Sequence, residues 1–73
     1  MNTHLESGIK TLELYLESQK RVRTMLNANL SAAASRAERL ASETLAQMCD
    51  NTITAVSAAL TDLKIAKVLA EKE

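Results

Sequence analysis

Leu5-Glu6-Ser7-Gly8-Ile9-Lys10-Thr11-Leu12-Glu13-Leu14-Tyr15-Leu16 sets Leu5, Ile9, Leu12 and Leu16 at alternating intervals of four and three. The same spacing is resumed at Leu26 and Leu30, with Gln19 and Arg23 at the intervening positions. A four–three alternation keeps one stripe of side chains facing a neighbouring helix. The stretch therefore predicts a long amphipathic helix with a coiled-coil-like seam that turns polar in its middle. Thr3 followed by Glu6 fits a capping box at its start. Glu6–Lys10 and Glu17–Arg21 are i,i+4 pairs in the favourable orientation.

Outward from this helix the chain offers little but more helix. Its 73 residues contain no Pro, Trp or Phe and a single Gly, Tyr, Cys and His, whereas Ala and Leu abound. Helix breakers and strand formers are both scarce. The segment Asn27-Ala28-Asn29-Leu30-Ser31 is the best place for a break, because Asn tolerates a helix C-terminus and Ser caps a new one. Ser35 with Glu38 supplies a second capping box just downstream. A second helix then runs through Leu40, Leu45, Met48 or Cys49, Ile53, Val56, Leu60 and Leu63. Asp50-Asn51-Thr52 is a rival break, since Asp and Asn are N-cap residues.

The expected fold is all-α: one domain over residues 1–73, an antiparallel helical hairpin with coiled-coil-like packing. Its helices are expected at about 3–27 and 32–72, with the turn at 27–31. Three short helices, broken again near Asp50, are the alternative, and one long helix comes third. At 1.5 Å per residue the two hairpin helices would span roughly 37 and 60 Å. The second would then overhang the first with Leu63, Ile65, Ala66, Val68 and Leu69 spread around its surface. A helix apolar on most sides is normally covered on most sides. Leu60, Leu63, Ile65, Val68 and Leu69 are thus the expected intermolecular interface, while Leu5, Ile9, Leu12 and Leu16 pack within the hairpin or a homodimer.

Chemistry is poorly provided for. His4 has no acidic or thiol neighbour placed for acid–base work. Cys49 falls on the apolar face, where a lone Cys behaves as a small hydrophobe. One Cys and one His make neither a disulfide nor a zinc site, and no phosphate loop or metal-ligand spacing occurs. Neither an enzyme activity nor a cofactor is expected. Nine basic residues balance nine acidic ones, so nothing draws the chain as a whole to nucleic acid or anionic lipid. Residues 44–61 carry only Asp50 as a charge, yet their Gln, Asn, Thr and Ser make a membrane span unexpected. Charges interrupt the first twenty residues as a signal-peptide core, and the unpaired Cys suits a reducing compartment, so a cytoplasmic location is expected.

A core this small supplies no more than roughly 3–5 kcal/mol, and no disulfide or metal supplements it. Association with another helical protein, with itself, or both is expected to bury the remainder. The Ala clusters at 32–34, 37, 41, 55, 58 and 59 favour helix formation and allow close helix approach. Tyr15 is placed for an interface anchor or a half-buried flank. Lys20, Arg21 and Arg23 form one basic cluster, which supports a rival reading as a homodimeric hairpin that binds nucleic acid. A surface-active helix lying on lipid is a further rival.

The opening Thr3-His4-Leu5-Glu6, the paired amphipathic helices and the apolar end Ala59-Leu60-Thr61-Asp62-Leu63-Lys64 resemble the small helical-hairpin cochaperones of bacterial type III secretion. The resemblance covers most of the chain in length and architecture. It implies a cytosolic, chaperone-like subunit that joins a larger helical-repeat cochaperone and helps hold a needle subunit unpolymerised. The chain departs from that pattern in lacking a Gly-containing turn and in its Ala-rich middle.

Overall fold

A computed structural model describes residues 3–32 and 35–73. Two α-helices account for nearly all of them: α1 (Thr3–Ala32) and α2 (Arg36–Lys72). They run antiparallel along each other in a body 57 Å long and only 14 by 13 Å across. This is the expected all-α hairpin. Thr3 already belongs to α1, and what precedes it lies outside the described residues, as do Ala33 and Ala34 of the first Ala cluster.

The expected turn at 27–31 is corrected by the structure. These residues are the last turns of α1. Leu26 is buried in the seam and Leu30 half-buried, and such tertiary burial outweighs the weak helix propensity of two Asn residues. The polar side chains that could have ended the helix are satisfied inside it. Asn27 Oδ1 accepts a hydrogen bond from Arg23 Nη1, and the Ser31 hydroxyl donates to the Asn27 carbonyl at 3.2 Å. The break falls instead at the second capping box. Ser35 adopts an extended conformation (φ −123°, ψ 160°), and its hydroxyl accepts from the Glu38 N–H at 3.1 Å. The Asp50–Thr52 break does not occur either, because α2 passes through these residues without interruption.

Moving the turn removes the overhang. With α1 extended to Ala32, Lys67 of α2 lies beside Glu6 in the first turn of α1, so the helices match over nearly their whole length. The seam of α1 consists of Leu5, Ile9, Leu12, Leu16, Gln19, Arg23, Leu26 and Leu30, all buried or half-buried, as the spacing predicts. That of α2 is Ser42, Ala46, Cys49, Ile53, Val56, Leu60, Leu63, Lys67 and Ala70, again at intervals of four and three. Leu40 and Leu45, expected on this face, are exposed, and of the alternatives Met48 and Cys49 it is Cys49 that is buried.

The core is thin. Among the described residues Ile9, Leu26, Ala46, Cys49 and Leu60 are buried, and no large side chain is fully enclosed. Hydroxyls at Thr11, Thr24, Thr44, Thr52 and Thr61 donate to carbonyls one turn earlier, which gives these exposed groups an intrahelical partner.

Candidate interaction surface

The middle of the seam is where α1 places Gln19 and Arg23. Arg23 projects across it, its Nε 2.7 Å from Asp50 Oδ1, with the side chain about three-quarters shielded. One turn away the Cys49 thiol lies 3.2 Å from the Gln19 carbonyl oxygen and 3.5 Å from Oε1 of the same residue. A polar layer in the middle of the seam favours one register, because a slip would bury these groups unpaired.

Two further interhelical ion pairs, Glu13–Lys64 and Glu6–Lys67, each at 3.8 Å, continue toward the open end. All three bridges lie along one edge of the hairpin. Lys10, Glu17, Lys20, Glu43 and Glu71 share that side by their place in the seven-residue repeat. The opposite edge is built differently. Tyr15, Val22 and Met25 of α1 and Leu45, Met48 and Leu69 of α2 stand exposed along it, and among the described residues between Gly8 and Leu69 its carboxylates are Asp62 and, beside the connection, Glu38.

The five residues expected at a partner interface are divided by the structure. Leu60 is 5% exposed and Leu63 half-buried, so both belong to the hairpin's own seam. Ile65, Val68 and Leu69 are half-exposed or more. With Thr61 and the stem of Lys64 they line a shallow apolar groove of about 380 Å³ on the outer side of α2. The correction has a simple cause. Leu60 and Leu63 continue the stripe from Ile53 and Val56, whereas the other three lie away from it.

The basic cluster does not form one free patch. Arg23 is held by Asp50, Arg21 reaches Glu17 at 3.3 Å, and Lys20 is exposed. Cys49 is buried in the seam and His4 is exposed. Among the described residues no three His, Cys, Asp or Glu side chains group as a metal site would need, and no helix is long and apolar enough to cross a membrane.

No protein-family model, curated protein or solved structure matches the chain.

Proposed function

We propose that this chain is a non-enzymatic protein-binding module, a chaperone-like or adaptor subunit that docks another helical protein on the outer face of α2. The observation that carries this reading is the groove of Thr61, Lys64, Ile65, Val68 and Leu69, which stays uncovered after the hairpin has closed on itself. An amphipathic helix laid into such a groove would bury three large aliphatic side chains, each contributing about 1.5–3 kcal/mol when fully covered. Lys64 and Asp62 at the margin supply a polar rim of the kind that surrounds a buried centre.

A needle-subunit cochaperone acting in the cytoplasm, within a hetero-complex, is the specific form of this proposal that the family resemblance suggests. The hairpin architecture is in keeping with it. Nucleic-acid binding through Lys20, Arg21 and Arg23 has less support, since two of these cations already face carboxylates.

The test is capture of partners by the tagged chain from its native host, compared with an Ile65→Asp/Val68→Asp variant. Wild type is expected to retain a helical partner that the variant loses while keeping its circular dichroism spectrum. Retention of the same partner by both would refute the role of the groove. Recovery of RNA that a Lys20→Gln/Arg21→Gln variant no longer retains would favour the nucleic-acid reading.

A further inference from the structure

The hairpin is dressed unequally. Among the described residues the three interhelical ion pairs all run along one edge, while the other presents Tyr15, Val22, Met25, Leu45, Met48 and Leu69, with Asp62 and Glu38 as its carboxylates. An edge so much richer in apolar bulk than in charge asks for a partner of the same kind. This chain carries such a surface itself.

The distribution of bulk along that edge is uneven too. Met25, Leu45 and Met48 cluster toward the connected end, beside the buried Leu26 and Ala46. Gly8, Thr11, Ala59 and Ala66 lie toward the open end, near the Glu13–Lys64 and Glu6–Lys67 pairs. We propose that two copies of this chain pair antiparallel through this edge and close a four-helix bundle. A two-fold rotation lays Leu45 and Met48 of each copy over the small residues at the open end of the other, with Asp62 at the rim between Ala59 and Ala66. A parallel pair would instead stack bulk on bulk at one end and leave a gap at the other, which close-packed interiors do not tolerate.

The areas agree. The chain exposes 5597 Å², whereas a compact monomer of its 7.9 kDa exposes about 4,400 Å² by the usual scaling with mass. The surplus is on the order of 1,200 Å². A face 57 Å long and 14 Å wide offers a footprint on the order of 800 Å², large enough to hold a stable protein interface. Pairing is isologous, so every contact is made twice, and the zero net charge leaves no long-range repulsion to overcome.

Sedimentation equilibrium at micromolar concentration decides the matter. Wild type is expected at twice the 7.9 kDa chain mass. Met25→Glu and Met48→Glu, at positions 61% and 60% exposed in the hairpin, should each raise the dissociation constant about a hundredfold with helicity unchanged. Leu14→Glu and Leu40→Glu, equally exposed but off this edge, should leave the dimer intact. A wild type of single-chain mass overturns the proposal. So does a dimer that survives the Met variants, or a loss of helicity in them. Orientation is read from nitroxides at position 37 in a Cys49→Ala background. Antiparallel pairing holds the two labels nearly a hairpin's length apart, and a short label-to-label distance overturns it.

Discussion

Arg23 and Asp50 meet at 2.7 Å from opposite sides of the seam, although twenty-seven residues separate them in the chain. The contact gives both residues a structural role. Removing one partner leaves a largely shielded arginine side chain without its carboxylate. Asp50→Asn and Arg23→Gln are each expected to cost about 1 kcal/mol, and a double-mutant cycle by urea unfolding should return a coupling of roughly 0.5–1.5 kcal/mol. A coupling of zero would mean that the pair does not fix the register.

Seam and surface leucines should separate cleanly. Leu60 is 5% exposed and Leu40 66%. Leu60→Ala is expected to destabilise by about 2–3 kcal/mol, at the low end for a buried leucine because an open seam relaxes easily. Leu40→Ala should stay within about 0.5 kcal/mol of wild type. Thermal melts followed by circular dichroism at one fixed concentration make the comparison.

The position of the chain reversal is open to a two-residue test. Ser35→Ala removes the acceptor of the Glu38 N–H and should cost about 1 kcal/mol. Ser31→Ala lies inside α1 and should raise stability by a few tenths of a kcal/mol, because Ala is the better helix former. The reverse order would return the turn to residues 27–31.

Gly8 occupies the second turn of α1, and a methyl group built there meets nothing within 4 Å. Gly8→Ala is expected to stabilise the hairpin by about 0.5–1 kcal/mol through the lower conformational entropy of the unfolded chain. Chemical unfolding of the two proteins side by side would detect a gain of this size.

Cys49 is 6% exposed and its thiol lies against Gln19. Modification by an aromatic disulfide reagent should therefore wait on opening of the hairpin and accelerate with urea in step with unfolding. Rapid labelling of the folded protein would contradict this burial.

The seam of α1 was legible residue by residue, including its polar members. Gln19 and Arg23 stand where the four–three rhythm requires a seam position, and period outweighs polarity. The seam of α2 was harder to read because bulk and position disagree there. Leu40, Leu45 and Met48 attract attention by size, yet counting back from Leu60 through Val56, Ile53 and Cys49 leads to Ala46 and Ser42. The turn was hidden by a related conflict. Asn27 and Ser31 suggest termination, while the burial of Leu26 and Leu30 demands continuation. Ile65, Val68 and Leu69 stood out as off-stripe residues, whereas Asp50 could be matched to Arg23 only once the register of the two helices was known.

The seam also orders events in time. Side chains near the connection, such as Leu26 and Ala46, meet after closing a short loop, whereas Glu6 and Lys67 must bring together almost the whole chain. Loop-closure entropy therefore favours closing like a zipper from Ser35 outward, with the cost of each further contact rising slowly. The end that carries Ile65, Val68 and Leu69 is then expected to shut last and gape first. Whatever grips that end holds the whole zipper closed, so amide exchange near the connection becomes a gauge of occupancy at the far tip.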